Sequence, residues 1–221
     1  MALTLVIGNK NYSSWSMRPW LVLKANSIPF DEVLIPLYTG EADKLWILDV
    51  TPSGKVPALR DGDITVWDSL AIIEYLAERY PDAHVWPDDG AARAHARAVS
   101  AEMHGGFGPL RRECGMNLHR PIRAKTLSAE AQADIARVQQ IWTDCRKRYG
   151  ALGPYLFGRF SAADAMYAPV VHRFRTYAIE VGPVVRDYME VMLMHPAVAE
   201  WTREGLAETL VIERFETDEV V

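Results

Sequence analysis

Strand-forming patterns in this 221-residue chain crowd into its first 81 residues and nearly vanish afterwards. A sheet confined to one end calls for a small α/β unit followed by an all-helical one. Residues 3–7 form a short β-rich apolar run that reads as a buried strand. The helix after it is limited by Pro19, whose missing N–H is tolerated in the first four helical positions. That places the helix start no earlier than about Ser16 and leaves Ser13 and Ser14 in the preceding turn. The helix ends near Asn26, ahead of Ile28-Pro29. Residues 31–37 read as a second strand, which Pro36 either ends or places at a sheet edge. Residues 41–48 suit a short helix. Residues 56–60 and 64–67 flank Asp61-Gly62, a two-residue hairpin signal. A helix over 69–79 begins at the polar pair Asp68-Ser69 and stops at Tyr80-Pro81.

This order of elements resembles a thioredoxin-like unit, assigned here to residues 1–83. Residues 84–90, His84-Val85-Trp86-Pro87-Asp88-Asp89-Gly90, change composition and read as a linker. The rest, 91–221, reads as an all-helical domain. An alanine-rich helix over 91–104 must bend or break at Gly105-Gly106-Phe107-Gly108-Pro109. A long amphipathic stretch over 128–149 is closed by Gly150. Ser161-Ala162-Ala163-Asp164 has capping-box spacing, with Asp for the usual Glu, and opens a helix to about residue 179. Residues 184–194 and 196–205 complete the helices.

Several function classes are disfavoured. The net charge of −5 is spread along the chain with no basic run to track phosphates, so nucleic acid is not an expected partner. No stretch approaches the roughly 20 consecutive apolar residues of a membrane span. The first seven residues lack a charged leader and a cleavage site. Two cysteines, Cys114 and Cys145, are too few for a disulfide framework and fit a reducing cytoplasm. The six histidines show no metal-ligand spacing, so no metal is expected.

Three segments carry candidate chemistry. Ser13 and Ser14 stand before a helix, where a serine either caps the orphan N–H groups or donates to an anion held at the positive end. A thiolate is one such anion. A free thiol has a pKa of about 8.5 and is only a few per cent ionised at neutral pH. Val56-Pro57 opens a strand. A trans bond there is an ordinary strand edge, whereas a cis bond turns the Val56 backbone outward to pair with an extended peptide. Asp68-Ser69 is either a helix cap or an anchor for a group with a carboxylate and an ammonium on one carbon, as in a γ-glutamyl group.

Taken together, these motifs resemble the glutathione S-transferase superfamily, and most closely its serine-type, zeta-like bacterial members. Tyr12-Ser13-Ser14-Trp15-Ser16-Met17-Arg18 resembles their Ser-Ser-x-Ser-x-Arg turn, and Lys55-Val56-Pro57-Ala58-Leu59 their cis-proline strand. Asp68-Ser69 with the apolar helix after it resembles the start of their ligand-anchoring helix. Ser161-Ala162-Ala163-Asp164 resembles their distal capping box and hydrophobic staple. The resemblance implies a cis Val56–Pro57 bond and a detoxifying transferase with glutathione as co-substrate. It also implies Ser13 as thiolate donor with Ser14 in support, glutathione held by Lys55, Val56, Pro57, Asp68 and Ser69, and a cytoplasmic homodimer. The chain departs from zeta enzymes at Trp15, where many carry cysteine, which weakens any transfer of maleylacetoacetate isomerisation and any cysteine-based reductase or deglutathionylation chemistry. The second substrate is expected between the domains, near Trp15, Met103, His104, Phe107 and Arg111, with Leu110 and Arg112 as further candidates. Phe107 and Leu110 read equally well as core. Two alternatives stay open: glutathione-dependent cis–trans isomerisation of the maleylacetoacetate or maleylpyruvate type, and a non-enzymatic interaction protein on the same scaffold.

Overall fold

The computed structural model describes residues 3–216, apart from the side chains of residues 41–43. Residues 1–2 and 217–221, with which the two expected domains begin and end, lie outside the described residues. The first half runs β1 (Leu3–Ile7), α1 (Ser14–Ala25), β2 (Phe30–Leu34), α2 (Glu41–Val50), β3 (Ala58–Asp61), β4 (Ile64–Trp67) and α3 (Ser69–Arg79). The four strands form one mixed sheet in the order β2-β1-β3-β4. β1 pairs parallel with β2 and antiparallel with β3, which pairs antiparallel with β4. Successive side chains of a strand point to opposite faces. Leu3, Leu5 and Ile7 accordingly join the main core with α1 and α3, while Val6 faces away with Ile35 and Ile47 of α2. This is a thioredoxin-like domain.

A helical domain follows: α4 (Gly90–Gly105), α5 (Gly108–Glu113), α6 (Ala129–Tyr149), α7 (Ala162–Thr176), α8 (Pro183–Met194) and α9 (Pro196–Ala207). α7 is its axis and is buried almost throughout, with α1, α4 and α8 packed around it. The Asp164 carboxylate opens α7 by accepting from Ser161 N at 2.9 Å, Ser161 Oγ at 3.0 Å, Leu156 N at 3.0 Å and Tyr188 Oη at 3.2 Å. α1 packs against the sheet, α3, α7 and α9, and for that reason it is buried on nearly every side rather than along one stripe. Lys10 ties the two halves together. Its buried ammonium pairs with Glu32 at 2.7 Å and with Glu204 of α9, between the rings of Trp20 and Trp201.

The local expectations need several corrections. α1 begins at Ser14, not Ser16, so Pro19 lies inside the helix; packing on all sides holds the helix together despite the lost hydrogen bond. β2 ends at Leu34, two residues before Pro36. The β3–β4 hairpin pairs Asp61 with Ile64, so its loop is Gly62-Asp63, with Gly62 at φ 59°. Residues 56 and 57 precede β3 rather than belong to it. Gly90 is already helical, with Asp89 as its cap.

Candidate active site

The turn between β1 and α1 is bonded from both domains. Within it, Tyr12 N and Ser13 N donate to the Asn9 carbonyl. From the helical side, Glu208 accepts from Lys10 N at 2.6 Å and Asn11 N at 3.0 Å, and Asn11 Oδ1 accepts from Leu118 N at 2.6 Å. Ser13 is the N-cap of α1: its oxygen faces Ser16 N at 3.4 Å, and its hydroxyl donates to Ser16 Oγ at 2.7 Å. Ser14 is the first helical residue, and its oxygen accepts from Nη2 of Arg173 on α7 at 3.3 Å. Both serines are buried. Tyr12, next to them, is turned away: its hydroxyl donates to Glu216 and accepts from Ile212 N.

Beside the serines lies a cationic wall in an otherwise acidic protein. Arg18, one helical turn after Ser14, is 1 % exposed, and its Nε and Nη1 have no hydrogen-bond partner. Burial, then the fields of Arg173 and Arg111, push its pKa down to about 9, with Asp68 opposing. Burial likewise pushes Arg173 down to about 10. Arg18 and Arg111 share the face of Trp15: the guanidinium carbon of Arg18 lies 4.2 Å from a ring centroid, that of Arg111 lies 5.4 Å away, and the His104 ring meets Trp15 edge-on at 5.3 Å.

Asp68 and Ser69 mark the start of α3. Asp68 caps it by accepting from Leu70 N at 2.9 Å, and holds φ 75°, an uncommon backbone for a non-glycine residue. His104 Nε2 lies 3.3 Å from its second oxygen. Ser69 is not the cap; its Oγ is buried without a partner. The Val56–Pro57 bond is cis. Pro57 is buried, Val56 half-buried and Lys55 exposed.

Of the residues expected against the second substrate, Trp15, His104 and Arg111 come together as described. Met103 and Phe107 instead join the core, at 1 % and 7 % exposure. Leu110 is core as well, while Arg112 is exposed. Cys114 and Cys145 are buried, and burial pushes their thiols up to about 11 and about 12. Arg173 and the isolation of Arg18 were not foreseen. The signal for Arg173 was a cation inside the apolar run of α7; nothing in the spacing ties it to a serine 159 residues earlier. Among the described residues, no cluster of three or more His, Cys, Asp or Glu could hold a metal ion, and no helix is long and apolar enough to cross a membrane.

Two family models match the chain. Residues 12–79 fit the glutathione S-transferase N-terminal domain and residues 128–204 its C-terminal domain. The chain belongs to the glutathione S-transferase superfamily. Among curated relatives, a probable maleylacetoacetate isomerase of Caenorhabditis elegans is 40 % identical over 98 residues, spanning 44 % of this chain and 44 % of its own length. Glutathione S-transferase Z2 of Arabidopsis thaliana is 28 % identical over 188 residues, covering 79 % of this chain and 80 % of its own. Among solved structures, a glutathione transferase homologue from Burkholderia gl BGR1 with bound glutathione superposes with a TM-score of 0.71 at 25 % identity, over 94 % of this chain and 100 % of that one.

Proposed function

We propose that this protein is a glutathione transferase in which a serine hydroxyl of the Ser13-Ser14 turn stabilises the glutathione thiolate for attack on a small electrophile. The observation that carries this reading is the pair of buried hydroxyls at the first turn of α1, set beside the buried guanidiniums of Arg18, which feels the carboxylate of Asp68, and Arg173. Lowering a thiol pKa by about 2 requires roughly 2.7 kcal/mol of preference for the thiolate. One charge-assisted hydrogen bond supplies about 1.5–3 kcal/mol and an exposed helix N-terminus about 0.3–1 kcal/mol. A buried cation adds to the same sum. The thiol proton leaves to water, the sulfur lone pair forms the new C–S bond, and an aryl halide expels its halide.

The rest of the peptide falls to the opposite wall. Val56 and Pro57 offer backbone to the cysteinyl unit, with Lys55 at its edge. Asp68 takes the γ-glutamyl ammonium, and Ser69 with the α3 N-terminus takes its carboxylate. The orphan hydroxyl of Ser69 and the φ of Asp68 support this, since the fold uses neither for its own hydrogen bonding or comfort. The electrophile then meets Trp15, His104 and Arg111. The domain division, 1–83, 84–90 and 91–221, and assembly as a homodimer belong to the same proposal. Ser13→Ala and Ser14→Ala, assayed with an aryl halide and an isothiocyanate, test it. Loss of kcat/KM beyond about threefold, roughly 0.65 kcal/mol, is expected in at least one variant; neither crossing that line contradicts the serine mechanism.

A second reading has its own support. The cationic wall suits an acidic alkene, and one relative is named a probable maleylacetoacetate isomerase. In that chemistry the thiolate adds to the alkene, the intermediate rotates about the resulting single bond, and the thiolate leaves again. Direct assay of maleylacetoacetate and maleylpyruvate separates the two readings. Calorimetry showing no glutathione binding at millimolar ligand would favour an interaction scaffold instead.

A further inference from the structure

The two serines of the turn are wired in opposite senses. The single hydroxyl proton of Ser13 is engaged by Ser16 Oγ at 2.7 Å. Ser16 Oγ also receives Gly8 N–H at 3.1 Å, which anchors the turn to the end of β1. Turning the Ser13 hydroxyl toward a ligand would give up its bond to Ser16. Ser14 is engaged through its acceptor side: Arg173 Nη2 donates to it at 3.3 Å, a bond that leaves the hydroxyl proton unused.

Arg173 is built to hold that position. It is 6 % exposed, and Nη1 donates to the carbonyls of Arg111 and Cys114 at the end of α5, which fixes the plane of the fork. The groups whose fields reach it include Cys114, Tyr177, Arg111 and Arg18, none of them a carboxylate. A guanidinium donating to a hydroxyl oxygen draws charge from the O–H and makes it a stronger donor, most of all in a dry site.

We infer that Ser14, rather than Ser13, donates to the glutathione thiolate, and that Arg173 is a positioning residue that orients and polarises the Ser14 hydroxyl from the helical domain. This rests on the glutathione transferase reading. It makes thiol activation depend on the contact between α1 and α7.

The test uses the full chain with glutathione at saturation. Two quantities are followed: kcat/KM for an aryl halide, and the pKa of the bound thiol from the pH titration of thiolate absorbance. Ser14→Ala should lower kcat/KM about ten- to hundredfold and raise the thiol pKa by about one to two pH units. Ser13→Ala should cost less in kcat/KM than Ser14→Ala, lower the thermal midpoint, and leave the thiol pKa in place. Arg173→Gln should raise the thiol pKa when Ser14 is present and add little in the Ser14→Ala background, a coupling that a purely structural arginine would not show. A larger loss in Ser13→Ala than in Ser14→Ala overturns the assignment, as does an Arg173→Gln protein that melts earlier but keeps its thiol pKa. The serine comparison decides the donor even if Arg173→Gln fails to fold, and Arg173→Lys, which keeps the charge but not the fork, should then give an intermediate thiol pKa. If both serine variants stay within threefold of wild type, the transferase mechanism itself has failed, not only this assignment.

Discussion

At the scale of single residues, Ser69 shows what a structure adds to a motif. From sequence, Asp68-Ser69 is equally a cap or an anchor, because either residue type can close a helix. The bond from Leu70 N to Asp68 gives the capping role to Asp68 and leaves Ser69 Oγ buried with no partner. Ser69→Ala should therefore raise the KM for glutathione about tenfold or more while kcat holds, the mark of lost uniform binding. Its thermal midpoint should not fall, since no folded-state hydrogen bond is removed. Kinetics and a melting curve on that one variant check both halves, and an unchanged KM would remove Ser69 from the binding site. Ser13, Ser14 and Trp15 were legible because they sit in one short segment. Arg173 was not, since only the packing of α7 on α1 brings it to Ser14.

At the scale of elements, α7 combines a helix axis with buried ionisable groups. His172 is 4 % exposed, and burial, helped by Arg175, pushes its pKa down to about 4 from an ordinary 6.5. The folded state thus disfavours the imidazolium, and in the window from about 6.5 to about 4 the unfolded chain binds more protons. Stability from this residue is complete above that window and is lost as pH falls through it, by about 3 kcal/mol in all. Asp164 works the other way: burial raises it to about 6, so its contribution is full at low pH and is lost as pH rises toward that value. His172→Asn leaves Asp164 unchanged, so the difference between variant and wild type isolates the histidine. In urea titrations the variant should gain on wild type as pH drops from 7 to 4.5; parallel losses would contradict a buried neutral His172. The start of α7 was readable from Ser161 to Asp164, a local signal. The start of α1 was misplaced because a proline rule drawn from isolated helices gives way when a helix is packed on every side.

At the scale of the molecule, the division into a sheet-bearing half and a helical half was legible because strand patterns stop at residue 67 and only helical ones follow. The junction was not, since it consists of pairings between distant residues. Lys10 with Glu204, Asp68 with His104 and Ser14 with Arg173 each join the α/β half to the helical one. These contacts surround the turn that carries the serines, so the candidate site lies at the interface rather than within either half. The central property proposed for it is a field that favours an anion at the start of α1, and the most direct measurement is the pH titration of glutathione thiolate absorbance in the complex with the unaltered protein. The bound thiol should ionise about two pH units below the free value of about 8.5. A bound thiol that titrates at or above that value would contradict the mechanism.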